Sequence, residues 1–429
     1  MNQPLTKLNI FSARGVQMRT FHVTWLMFFV CFFGWFGIAP LMPTIREDLG
    51  LTKAQVGNTI IASVSSTIIA RLIIGRLCDT WGPRLTAVRL LLVGCIPVFL
   101  VGLANDYTTF LLFRLGIGVI GASFVITQFH TAIMFAPQIK GTANAVTGGW
   151  GNLGGGVTNM VMPLIFTAIV GFGYTPKESW RLAMIAPGVM MLIMAWLYYR
   201  YTKDTPAGNY KEIGYTAKAR GKTDWSVLGD WRLWALTFAY AMCFGMEITF
   251  DNVAALHFVD TFKLSQSNAG FWAGIFGFMN IFARALGGIV SDKVGNRYGI
   301  RGKGLLLGGF LMLEGLGLLL FAQAGSLAVA IFSMLLFAIF LKMANGATYG
   351  IVPFVNERNV GLVSGIVGAG GNLGGMAFGF LFKSETISYI EAFRYIGFVV
   401  IIVSLIVLIT RFRREAQVAA ETAPVVATS

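Results

Sequence analysis

Two arginines and two asparagines, each set in apolar surroundings, are the residues of this sequence with the most chemistry to offer. Arg71 stands in "RLIIGRLCDTWG" and Arg284 in "RALGGIVSDKVG". In both stretches arginine, glycine, aspartate and glycine follow at steps of four, four and three, so Arg71, Gly75, Asp79 and Gly82 correspond to Arg284, Gly288, Asp292 and Gly295. Asn152 and Asn372 sit in a second repeated stretch, "GNLGG", at Gly151–Gly155 and Gly371–Gly375. Arg284 follows Arg71 by 213 positions and Asn372 follows Asn152 by 220, so two motifs recur in order at nearly constant separation. An arginine at bilayer depth costs about 2.5–3.5 kcal/mol on insertion scales, and two of them need a reason. One reading is a structural ion pair with an intramembrane acid, for which Glu247, Asp251 and Glu314 are available. The other, which symmetric placement favours, turns both guanidinium groups to one central cavity, where two cations together hold an anion.

A guanidinium is a planar fork matched to planar or tetrahedral oxyanions, so nitrate, nitrite, carboxylate and phosphate are all admissible. Lys342 is the one clear further cation, whereas aromatic residues are plentiful: Phe124, Tyr240, Phe244, Phe340 and Tyr349. That lining suits a small, weakly hydrated, planar monoanion. The glycines Gly151, Gly155, Gly371, Gly375 and Gly379 recur at four-residue steps, the spacing that lets membrane helices lie close together. Asn152 and Asn372 each want a partner on that smooth surface, either exposed backbone or a substrate oxygen. Asp79 and Asp292 are expected to be structural or gating residues. Glu247, Asp251 and His130 are the groups able to change protonation, and so are the candidates for coupling.

The elements that must position these residues are membrane helices. Hydrophobic residues make up 56% of the 429 and charged residues only 12%, which describes an integral membrane protein. Hydropathy predicts about twelve spans, near 23–43, 56–79, 85–104, 108–136, 141–170, 180–200, 233–259, 266–291, 304–323, 326–352, 359–383 and 390–411. The organisation expected is a six-helix half over 1–199, a cytoplasmic linker over 200–232, a second half over 233–412, and a disordered tail over 413–429. The net charge of +14 follows from Lys and Arg in the loops and termini expected to face the cytoplasm, so no nucleic-acid partner is inferred. Cys31, Cys78, Cys95 and Cys243 lack metal-ligand spacing and read as small buried hydrophobes. The first apolar run is expected to remain as the first helix, with no cleaved signal peptide. No metal triad, nucleophile motif or phosphate loop is present, so neither an enzyme nor a cofactor is expected. Two repeated halves of six helices instead describe a secondary transporter with its substrate near the midplane.

"GRLCDTWGPR" resembles the signature loop after helix two of the major facilitator superfamily, with "SDKVGNR" as its counterpart after helix eight. "AVTGGWGNLGGGVTNMVMP" and "GIVGAGGNLGGMAFG" resemble the paired nitrate signature motifs of helices five and eleven in the nitrate/nitrite porter family of that superfamily. The similarity extends over most of the chain, including "FGMEIT" and "FARALGG". The fold it implies is an all-α integral membrane protein of about twelve transmembrane helices in two pseudo-symmetric halves. It further implies that Arg71 and Arg284 clamp nitrate, that Asn152 ahead of Asn372 touches it, with Gly151 and Gly371 beside them, and that Tyr240, Phe244 and Phe124 line the site. The expected activity is secondary active transport of nitrate and nitrite by a monomer in a bacterial cytoplasmic (inner) membrane, both termini cytoplasmic. Bringing an anion into a cell about 100 mV negative inside costs about 2.3 kcal/mol per charge, so uptake must be coupled. Proton symport is expected; nitrate/nitrite exchange, or transport of another small monovalent anion, is the alternative.

Overall fold

Residues 3–214, 225–356 and 360–412 are described by a computed structural model of the chain. Linker residues 215–224 and the expected tail at 413–429 lie outside the described residues. Within hydrocarbon every backbone polar group must be satisfied inside the protein, and the described chain answers this with long helices. Eleven segments are long and apolar enough to cross a membrane: Gly15–Asp48, Lys53–Trp81, Pro83–Leu103, Tyr107–Met134, Ile139–Gly171, Pro176–Tyr201, Trp231–Phe262, Gln266–Ala322, Leu327–Phe354, Leu362–Lys383 and Tyr389–Ile409. Gln266–Ala322 has 57 residues and holds two spans, because the chain turns back at Gly299 (φ 68°, ψ −166°). Asp292 and Lys303, eleven positions apart, pair at 2.6 Å across that turn; on a straight helix they would stand about 16 Å apart along the axis. Numbered in chain order, spans 8 and 9 are therefore 266–298 and 300–322, and the total is twelve.

Local sequence sets the span ends. Thr52 with Gln55, Thr175 with Glu178 and Ser388 with Glu391 form reciprocal capping boxes that open spans 2, 6 and 12. Spans 2 and 3 join at Gly82 (φ +84°) followed by Pro83. Asp204, just past span 6, accepts from the Arg84 and Tyr210 main-chain N–H groups at 2.9 and 3.0 Å, which ties the start of the linker to that loop. Burial raises the Asp204 carboxyl above its ordinary range. Glu212, bonded to the Asn209 amide and to Lys203, is lowered to about 2.

Span 5 packs on span 1 within its own half and on span 8 across the centre; span 11 packs likewise on span 7 and on span 2. Exchanging the halves turns one set of contacts into the other, which is the two-fold relation announced by the repeats. Among the described residues a set of polar contacts between the halves gathers on one side. Arg46 and Asp260 pair there through two bonds of 2.8 and 2.9 Å, Thr44 donates to Gln266 at 2.7 Å, the Ala54 N–H donates to Glu385 at 3.0 Å, and Lys53 reaches the Ile387 carbonyl. A Cβ on Gly156 of span 5 would lie 2.6 Å from the Gly277 backbone of span 8. At the opposite ends of spans 5 and 11, a Cβ on Gly141 or Gly365 would meet nothing within 4 Å. Among the described residues the polar contacts between the halves gather on the side of Arg46 and Asp260, whereas Gly141 and Gly365, on the side of the N-terminus, face open space.

Candidate anion-binding site

Arg71 lies in the C-terminal half of span 2, and Arg284 follows shortly after the 3-10 break Met279–Ile281 in span 8. Both guanidinium groups approach one aromatic ring, their central carbons each 5.9 Å from the centroid of Phe244; Arg71 is also 5.3 Å from Phe124. The Arg284 Nη2 donates to the Tyr240 hydroxyl at 3.0 Å, and its Nη1 has no partner. The Arg71 Nη1 donates to the Gly368 carbonyl at 3.3 Å, while its Nε and Nη2 have none. Among the described residues neither arginine is in an ion pair with an acid. Contacts with aromatic faces return only about 0.5–2 kcal/mol each, so the forks retain unspent donor capacity at a buried site.

The platform beneath them is built by span 11 against span 7. Tyr240 and Phe244, one turn apart, stack at 5.0 Å and 8°, and Tyr349 meets Tyr240 edge-on at 5.1 Å. A Cβ at Gly371 would lie 2.6 Å from Phe244 and 2.8 Å from Tyr240, so only glycine lets both rings lie flat on this helix. Asn372 donates to the Gly368 carbonyl at 3.2 Å, sharing that acceptor with Arg71, and its Oδ1 has no partner. Asn152 is buried with both amide atoms unpartnered, the state of a group whose partner arrives from elsewhere.

The remaining expected residues lie apart from this platform. Gly151 fits against Phe28 of span 1, Gly155 against Phe36 and Asp251, and Gly375 against Gly245 and Ile248, so these glycines serve helix contacts. Asp292 pairs with Lys303 at 2.6 Å, and Asp79 lies near the C-terminal end of span 2. His130 bonds Tyr198 and the Lys203 carbonyl, both at 2.7 Å, inside the first half. Glu247 bonds Lys342 at 3.1 Å and Asn280 and Asn345 at 2.7 Å each. Lys342, an extra cation on the sequence reading, is thus matched to an acid one shell away from the arginines. Phe340 packs toward Phe310 at 6.3 Å.

Sequence reasoning did not single out Asn280, Asn345 or Arg114. Arg114 is buried in span 4 and, among the described residues, bonds to the Trp35 carbonyl at 3.4 Å and to Asn252 at 3.3 Å. The signal available for all three was a polar residue within an apolar run, as in "FLLFRLGIG" and "KMANG".

The profile of the Major Facilitator Superfamily matches residues 24–378. The chain is 39% identical over 376 residues to the high affinity nitrate transporter 2.5 of Arabidopsis thaliana, covering 86% of this chain and 74% of that one. It is 39% identical over 418 residues to the high-affinity nitrate transporter 2.3 of Oryza sativa subsp. japonica, with coverage of 95% and 80%. It is 30% identical to the nitrate/nitrite transporter NrtP of Picosynechococcus sp., with 84% of each chain covered. Among solved structures, a bacterial homologue of the human lysosomal transporter Spinster, in an inward-facing and occupied conformation, superposes with a TM-score of 0.70 at 16% identity. That superposition covers 92% of this chain and 96% of the other, and it speaks for the fold alone. Motifs, fold and relatives agree: this chain is a transporter rather than an enzyme, and it belongs to the nitrate/nitrite porter family of the major facilitator superfamily.

Proposed function

We propose that the protein carries nitrate, and nitrite with it, across a bacterial cytoplasmic membrane by alternating access, as uptake driven by proton symport. One observation carries the reading: two buried guanidinium groups, one from each half, converge on the Phe244 ring with three nitrogens unpartnered and no acid in an ion pair with either. A planar monoanion between them takes in-plane bonds from both forks, and the unpartnered amide of Asn152 is the further donor. The Tyr240 hydroxyl and the aromatic faces exclude larger, more hydrated anions. Lys7, Arg14, Arg19, Arg84, Lys140, Arg200 and Lys203 lie on the open side, which supports a cytoplasmic assignment for that side and for both termini. On that assignment the described state is inward-open. Each chain carries both halves of the clamp, which supports a working monomer.

Nitrate/nitrite exchange is the second reading. What favours it is that Glu247 and His130 are each bonded within their own half. Purified protein in liposomes separates the two. Uptake driven by an imposed pH gradient with no nitrite inside is expected; uptake that appears only with nitrite inside leaves exchange. Excess nitrite is expected to compete with nitrate more strongly than formate does, and the reverse order would reassign the substrate. Arg71→Lys and Arg284→Lys keep the charge and lose the fork. Losing one charge-assisted hydrogen bond costs about 1.5–3 kcal/mol, so each variant is expected to need roughly ten to a hundred times more nitrate for half-maximal uptake. Near-normal uptake by both at normal membrane levels would remove the clamp.

A further inference from the structure

Proton symport needs a titratable group whose surroundings differ between the two states of the carrier. His130 and Glu247 are each satisfied within one half. Glu314 is fully buried with neither oxygen bonded. It belongs to span 9, whose glycines pack on spans 10 and 12 of the same half, so rocking of the halves leaves its setting unchanged. Asp251 differs. Its side chain makes no hydrogen bond or ion pair, its Oδ1 is enclosed, and only 4% of the residue is exposed. It faces the opposite half: a Cβ on Gly155 of span 5 would lie 3.1 Å from Oδ2, and Asn159 of the same span donates to the Asp251 main-chain carbonyl at 3.4 Å. The charged groups acting on it are Lys342 of span 10 and Glu247 of its own span. From span 1 it is met by Phe36, across Gly155, and Arg114 of span 4 is bonded to the neighbouring Asn252.

Resting on the proton-symport reading, we infer that Asp251 carries the coupled proton, taking it up when the halves part on the outer side, keeping it as they close and giving it up inward once they have closed. An ionised carboxylate pressed against the Gly155 surface without a donor opposes closure, whereas the neutral acid does not. Parting of the halves takes Gly155 away and lets water reach the carboxyl. With the outer side sealed, the proton leaves inward, along the face of span 7 that carries Asp251, Glu247, Phe244 and Tyr240 at steps of four, three and four. That face joins the outer closure to the anion clamp. Only a proton moves: it leaves outside water for the Asp251 carboxylate and passes from there to inside water.

The full chain in liposomes, assayed for gradient-driven nitrate accumulation and for nitrate counterflow without a gradient, tests this. D251N is expected to keep counterflow and lose both gradient-driven accumulation and nitrate-dependent proton uptake, while D251E retains all three and E314Q behaves as wild type. Gradient-driven accumulation by D251N at the wild-type level overturns the inference, as does its loss in E314Q alone. A wild-type protein that ignores the gradient and responds only to internal nitrite fails the symport reading instead. Should D251N not reach the membrane, dicyclohexylcarbodiimide, which modifies protonated buried carboxyls, is applied to wild type. Modification at Asp251 with loss of gradient-driven uptake and preserved counterflow is expected; no modification there overturns the inference.

Discussion

At the scale of residues, the most exacting arrangement is the pair of Glu247 and Lys342. Both are almost fully enclosed, 3.1 Å apart, with two amides completing the carboxylate. Removing one partner of such a pair strands the other charge, at a cost of about 3–5 kcal/mol, whereas replacing both is often close to neutral. Lys342→Met is therefore expected to lower thermal stability strongly, and the double variant Glu247→Gln/Lys342→Met to recover most of the loss. A single Lys342→Met with unchanged melting would show that the pair is not enclosed as described. Tyr240→Phe removes the one acceptor that holds Arg284, and a bond to a charged group is worth about 1.5–3 kcal/mol. Nitrate affinity should fall about tenfold or more, read by isothermal titration.

At the scale of elements, the glycine-rich helices are asymmetric along their length. Midway along its length span 5 presses Gly156 on Gly277, backbone against backbone, so Gly156→Ala has no flexible neighbour to push aside. Overpacking of this kind costs about 1–3 kcal/mol, and the variant should melt earlier and close less completely on the side of Arg46 and Asp260. Gly365, at the other end of span 11, faces open space. Gly365→Leu should leave melting unchanged and still slow transport, because the proposed alternating access brings the ends of the helices on this side together. Normal flux in Gly365→Leu would mean that this end of span 11 never meets the other half.

At the scale of the molecule, the closed side is held by few polar contacts. The bidentate Arg46–Asp260 pair is about a third exposed on each side, 31% and 35%, where such pairs contribute roughly 0.2–1 kcal/mol. Asp260→Asn should thus shift the equilibrium toward a form parted on this side only a few-fold, visible as a longer spin-label distance between the 49–52 and 263–265 connections. Most of the closure rests on interlocking helix surfaces such as Gly156 on Gly277, so a large shift from this one change would contradict that division.

Membrane class, span number, the two repeated halves and the arginine pair could all be read from the sequence, because hydropathy and motif spacing are local or periodic properties of the chain. The superfamily loop and the two glycine motifs carried the family in the same way. Spans 8 and 9 were separable by hydropathy even though one helical segment runs through both, since the polar stretch "DKVGNRYGIRGK" around the turn at Gly299 interrupts the apolar pattern. Which acid meets which cation was not legible. Glu247, Asp251, Glu314 and Lys342 are equivalent in sequence as charges inside apolar runs, and only helix rotation and packing give Glu247 to Lys342, leave both arginines without an acid, and turn Asp251 toward the other half. The sequence by itself determined that two cations enter the membrane at matched depth; the tertiary structure alone decided that they remain unpaired, because pairing depends on contacts between residues far apart along the chain.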